Sequence, residues 1–190
     1  IFNMHILFKK RFYQKKKKKM KIFQIVIFIV LAALVYFIYQ FMYMKPTFMV
    51  GEKIPDFQTK TIDGKKFSMD ELKGKLVLME FWGTWCGPCR KQMPELSKLY
   101  RTYRDSLHGT FEIVSLAMDD DTTVLRNVIN QDTMIWPYHL REPQNGGEIT
   151  SLFQIKQIPT SYLLNDQGQI IRVNPTIDEL KDLLMKVDNV

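Results

Sequence analysis

Cys86 and Cys89 are the only two cysteines in the 190 residues, and Gly87 and Pro88 alone separate them. A secreted domain stapled by disulfides carries more cysteines, spaced further apart, so a single close pair points to chemistry. The chemistry open to it is thiol–disulfide exchange: a thiolate attacks a disulfide, and a second thiol two residues on closes a small ring and releases the bound partner. Other uses of the pair fit less well. A structural zinc ion takes four ligands, and neither a second cysteine pair nor a nearby histidine supplies them. Covalent haem attachment puts a histidine directly after the second cysteine, where Arg90 stands. A purely structural disulfide closing so short a loop stabilises little. No metal and no cofactor is expected.

The elements around the pair can position it for exchange. Leu76 to Trp82 is an apolar run suited to a central strand buried on both faces. A helix should begin just after Cys86 and run to about Leu107. That puts Cys86 against the free N–H groups and positive dipole end of the helix, which favour a thiolate. Pro88 suits an early helical position, where its missing N–H needs no partner. Glu80 is the odd residue in the strand, because a carboxylate buried on both sides is costly unless it has a task. Its alternative is a place at the strand end, reaching water.

The remaining sequence alternates strands and helices. Phe57 to Phe67 reads as extended chain broken by the turn signal Asp63-Gly64. Ser68 and Glu71 form a capping box for a short helix. Phe111 to Met118 is a strand, Val124 to Asn130 a helix, and Ser161 to Leu164 with Gln169 to Val173 a hairpin about Asp166 to Gly168. Thr176 and Glu179 cap a last helix to about Val187. The pattern predicts an α/β domain with a mixed sheet. Trp136, Pro137 and Tyr138 can line a partner surface or pack in the core. His108 and His139 are expected to be ordinary surface residues.

Charge divides the chain. Nine of the 27 Lys and Arg precede Ile22, and none of the 20 acids does. From Lys45 onward 18 basic residues face 20 acidic ones, so the domain itself offers no basic surface for nucleic acid. Ile22 to Met44 holds no charge and is long enough to span a bilayer as a helix. A cleaved signal peptide would be shorter and end in small residues; here Ala32 and Ala33 lie mid-run. The positive-inside rule puts the N-terminus in the cytoplasm and the domain on the far side of a cytoplasmic membrane, which is periplasmic or extracellular. Initiation at Met20 would weaken that orientation without reversing it. The expected organisation is a basic cytoplasmic tail (1–21), a single transmembrane anchor in membrane lipid (22–44), a linker (45–53) and one folded domain (54–190).

The run Glu80-Phe81-Trp82-Gly83-Thr84-Trp85-Cys86-Gly87-Pro88-Cys89 resembles the active-site strand and helix of thioredoxins. Gly51-Glu52-Lys53-Ile54-Pro55-Asp56-Phe57 is similar to the opening of the membrane-anchored TlpA/ResA-like group of the redoxin superfamily. The resemblance implies a thioredoxin-like fold, its mixed central sheet flanked by helices, with an N-terminal hairpin and a central insertion around Val124 to Gly147. It also implies roles for particular residues. Ile158-Pro159-Thr160 matches the cis-proline loop that lies beside the cysteines and pairs with substrate, together with Trp85, Gly87 and Pro88. Pro94 matches the proline that kinks the active-site helix. Glu80 matches the buried aspartate, whose raised pKa suits it to take a proton from Cys89. Members of the group commonly carry acids between and shortly after the cysteines. Here Gly87 and Gln92 stand instead, which leaves a dedicated role in cytochrome c maturation without its usual acidic pair.

Three functions follow as expectations. The first is a thiol-disulfide oxidoreductase reducing disulfides of exported proteins, fed by a transmembrane thiol donor. The second is a peroxidase; peroxiredoxins, however, place Thr or Ser three residues before their cysteine, where Gly83 stands. The third is a binding module without catalysis, against which Cys86, Cys89, Glu80 and Pro159 argue together.

Overall fold

The structure is a computed structural model that describes residues 2–106 and 109–188, with side chains over 19–104 and 109–187. His108 and the end of the helix expected at Leu107 lie outside the described residues. The chain divides into two compact units, 1–45 and 46–190.

The first unit is one long helix, α1 (Phe2–Tyr43). Its stretch Lys19–Tyr43 is long and apolar enough to cross a membrane. Those 25 residues, at about 1.5 Å each, reach past a hydrocarbon core of about 30 Å. None of its most apolar window is buried within the unit, as a helix meant for a lipid solvent requires.

The second unit opens with an antiparallel hairpin, β1 (Gln58–Lys60) and β2 (Lys66–Ser68), turned at Asp63-Gly64. Gly64 takes the left-handed conformation, φ +79°, that the turn requires and glycine supplies without strain. Ser68 then caps a 3₁₀ turn, Met69–Leu72, while Glu71 reaches back to the Ser68 N–H. A five-stranded mixed sheet follows, in the order β5 (Tyr138–Glu142), β4 (Phe111–Met118), β3 (Leu76–Trp82), β6 (Thr160–Leu164), β7 (Ile170–Val173). β3, β4 and β5 are parallel; β6 runs against them, and β7, antiparallel to β6, runs with them again. The helices are α2 (Gly87–Ser106), α3 (Thr122–Gln131), α4 (Glu148–Leu152) and α5 (Ile177–Asp188). Pro94 lies within α2, and its missing N–H leaves the carbonyl one turn back without its usual helical donor.

Strand periodicity divides β3 between two cores. Leu78 and Trp82 face one that holds Met93, Leu96 and Tyr100 of α2 and Leu180 and Leu184 of α5. Val77, Met79 and Phe81 face another, formed with Phe57 and Phe67 near the hairpin, Ile149 of α4, and Phe153 just after it. Residues expected as a linker take part in the second core. Phe48 stacks at 5.7 Å on Phe153, and Gly51 and Glu52 exchange backbone hydrogen bonds with Ile170. An aromatic ring and unpaired strand groups are better placed there than in water.

The insertion decides one open reading and corrects another. Trp136 is a core residue, 2% exposed, with its Nε1–H donating to Ser115 Oγ at 3.0 Å. His139 is no surface residue: it is 8% exposed on β5, its Nδ1 2.8 Å from Ser115 Oγ, its ring against Trp136. Its place three residues after a tryptophan, on a short strand, gave no periodic signal of burial. Ser115 Oγ thus accepts from Trp136 and shares a second hydrogen bond with His139 Nδ1, whose direction follows the imidazole tautomer.

Burial pushes the His139 pKa down from 6.5 to about 4. Between those values the unfolded chain binds a proton that the folded chain refuses, so stability falls as pH drops from 6.5 towards 4. His139→Asn removes this contribution. At pH 4.5 the parent should have lost about 2–3 kcal/mol more than the variant, relative to pH 7. Urea midpoints at the two pH values measure it, and parallel losses would show that His139 is not held neutral.

Candidate active site

The site forms where β3 ends and α2 begins, at the C-terminal edge of the parallel strands, where open α/β sheets place their ligand crevices. Gly83 to Trp85 carries the chain round this corner, and a buried carboxylate holds it. Asp119, 5% exposed, accepts from the Thr84 backbone N–H at 3.0 Å and from the Thr84 hydroxyl. Trp85 lies over the edge, 53% exposed, its Nε1–H donating to the Met118 carbonyl at 3.0 Å. Gly83 leaves room for that indole. A Cβ there would stand 2.9 Å from the Trp85 ring and 3.3 Å from Ile158 Cδ1, inside van der Waals contact. A Thr or Ser side chain at this position would have to displace the Trp85 indole from its place.

Cys86 and Cys89 are joined in a disulfide with S–S 2.07 Å. Their surroundings differ. Cys86 precedes the first turn of α2 and is 6% exposed; Cys89 lies inside it at 0%. The Cys89 backbone N–H points at Cys86 Sγ from 3.3 Å, so the free donors of the helix start are directed at the outer sulfur. Arg90, the adjacent cation, is engaged elsewhere, with Nε 2.9 Å and Nη2 3.0 Å from the Asp132 carboxylate. Stabilisation of a Cys86 thiolate thus falls to backbone N–H groups rather than to Arg90. Gly87 and Pro88 are exposed beside Trp85.

The second wall is the turn into β6. The Ile158–Pro159 peptide is cis. Ile158 and Pro159 are half-buried, Thr160 is buried, and the Thr160 hydroxyl donates to the Gln157 carbonyl at 2.8 Å. Thr160 pairs with Phe81 of β3, and the Ile158 side chain approaches Gly83. Strand pairing and side-chain contact together bring this loop to the corner that carries Cys86.

Glu80 is fully enclosed, 2% exposed, on the same side of β3 as Leu78 and Trp82, which pack with both cysteines. The alternative place for Glu80, at a strand end reaching water, does not hold. Glu80 is the middle of a polar rung across the sheet. Ser161 of β6 and Ser115 of β4 stand in register with it, and His139 of β5 in register with Ser115. Gln92 of α2 donates to its Oε1. Burial pushes the Glu80 pKa up from 4.5 to about 8, against a smaller opposing pull from hydrogen bonds to Ser161 and Gln92. A carboxyl so placed holds its proton at neutral pH and can still give it up.

Sequence reasoning missed Asp119, Ser115 and the part played by Gln92. Asp119 had a usable signal, since it opens an Asp-Asp-Asp run straight after an apolar strand.

A dithiol pair at a helix start, walled by a cis-proline turn on a mixed sheet, puts this chain in the class of thioredoxin-fold thiol-disulfide oxidoreductases. Residues 50–173 match the AhpC/TSA family, and the chain belongs to that family. It is 32% identical over 176 residues to the thiol-disulfide oxidoreductase ResA of Bacillus cereus, a match covering 90% of this chain and 98% of the relative. Over 138 residues it is 32% identical to the thioredoxin-like protein YneN of Bacillus subtilis, covering 73% and 78%. The thioredoxin domain of a thiol-disulfide oxidoreductase from Bacteroides vulgatus superposes with a TM-score of 0.65 at 25% identity, covering 74% of this chain and 98% of that domain. The chain is an oxidoreductase acting on thiols and disulfides.

Proposed function

We propose that this chain is a membrane-anchored reductant that delivers electrons to disulfides of exported proteins. The observation that carries the reading is the asymmetry of the pair: an outer sulfur facing helix N–H donors, and an inner one shielded from solvent. In the reduced chain the Cys86 thiolate attacks one sulfur of a client disulfide. A Cys86–client bond forms, the client S–S bond breaks, and the other client sulfur leaves as a thiolate. The loop 158–160, with Trp85, Gly87 and Pro88, lines the approach and aligns the client backbone. Glu80, once it has given up its own proton and is ionised, takes the proton of the Cys89 thiol, and Cys89 attacks Cys86 Sγ. This forms the Cys86–Cys89 disulfide and releases the second client thiolate. Two electrons pass to the client, so a second dithiol, from a membrane-embedded donor, must restore the pair. Insulin reduction and peroxide consumption, assayed on one preparation in detergent, test the reading. Rapid insulin reduction with negligible peroxide turnover is expected, and the reverse would make the chain a peroxidase.

In this reading residues 22–44 anchor the chain in lipid, with the lysine-rich segment inside and the domain outside. Protease added to intact spheroplasts should then remove the domain and leave a membrane-protected fragment. A fully protected chain would refute the orientation.

A further inference from the structure

We propose that Gln92 is a positioning residue for the exchange: its side-chain amide orients the Glu80 carboxyl on the sheet face that packs against Cys89, and supplies a donor to the carboxylate when the proton leaves. The inference rests on the assignment of Glu80 as the proton acceptor for Cys89.

Gln92 stands three residues after Cys89 on α2, so the two share a helix face. It is only partly buried and could turn its amide to water. Instead the amide reaches inward and donates to Glu80 Oε1, at the cost of ordering a flexible side chain. An oxygen that receives this N–H does not also carry the acid proton, so the amide directs that proton to Oε2. The groups facing Glu80 are otherwise uncharged: Ser115 from β4 and Ser161 from β6, with Leu180 and Leu184 from α5 on the same side of the sheet. Among the described residues, the titratable groups on that side are the two cysteines, Tyr100 and Tyr103 of α2 and, one strand beyond Ser115, His139. The donors that support the ionised carboxyl are the Ser161 hydroxyl and the Gln92 amide, of which the amide alone reaches it from α2. Burial opposes ionisation, and Gln92 opposes burial.

Gln92→Met keeps the length of the side chain and removes the donor. In the full-length reduced chain, the infrared band of the protonated carboxyl, identified as the band that Glu80→Gln abolishes, is followed against pH. Its midpoint should move up by about one unit, from the loss of one hydrogen bond to a charged group. Resolution of a Cys86 mixed disulfide at pH 7 should slow several-fold, its pH profile moving the same way. A band whose midpoint does not move overturns the proposal. A band that moves while the rate profile stays fixed overturns the role of Glu80 itself, and the proposal with it. Gln92→Ala carries the same expectations should methionine disturb the packing.

Discussion

Cys89→Ser is expected to accumulate mixed disulfides between Cys86 and client proteins, whereas Cys86→Ser accumulates none and reduces insulin no faster than the dithiothreitol background. The cause is the difference between the two sulfurs. Cys86 keeps a small exposed edge next to the exposed Trp85, and a backbone N–H is directed at its sulfur. Cys89 is closed off beneath it, so it meets the Cys86 sulfur before it can meet a client. Removing Cys89 leaves the first bond formed and the second step absent. Non-reducing gels with peptide mass spectrometry identify the bonded cysteine. Mixed disulfides on Cys89 in the Cys86→Ser chain would reverse the assignment.

Glu80→Gln should slow resolution far more than the initial attack, because only resolution needs the Cys89 proton removed. The loss of a positioned general base is of order 100-fold or more. The same change should stabilise the fold at neutral pH. In the folded chain Glu80 keeps its proton up to about pH 8, while its ordinary value is 4.5. Across that window the folded state holds a proton that the unfolded state has released, so the parent loses stability as pH rises. Glutamine does not titrate, and the variant has no such slope. The gap should be absent below pH 4.5 and reach about 3 kcal/mol at pH 7, at 1.36 kcal/mol per unit. Urea unfolding at pH 4 and pH 7 measures it. Parental insulin rates from pH 6 to 9 would leave Glu80 as a strand residue without a catalytic part.

Much of this arrangement was legible because its signals are local. The run Leu76–Trp82, apolar at every position but Glu80, read as a central strand, and Ser68 with Glu71 wrote out its own cap. Cys-Gly-Pro-Cys after that strand located the thiols. Ile158-Pro159-Thr160 needed the family resemblance, since a proline before a strand otherwise reads as an edge residue. What escaped depends on register between distant strands. That Glu80, Ser115, Ser161 and His139 share one rung is decided by how β3, β4, β5 and β6 align, and no stretch of sequence records it. α4 was missed because Glu148–Leu152 is a five-residue helix, too short to show a period. Its start is held by the Glu142 carboxylate, which accepts from the Ile149 and Thr150 N–H groups seven and eight residues on, rather than by a neighbouring Ser or Asp. Asp119 likewise acts across 35 residues on Thr84.

The transfer itself can be watched in one turnover. The fully reduced chain, in detergent, is mixed with an equal amount of insulin, quenched with an alkylating agent at successive times, and both partners are read by mass spectrometry. Cys86 and Cys89 should lose their free thiols in step with the gain of two free thiols on insulin, ending in the Cys86–Cys89 disulfide. A chain that keeps both thiols free while insulin stays oxidised, or that oxidises without reducing insulin, would contradict dithiol exchange as its activity.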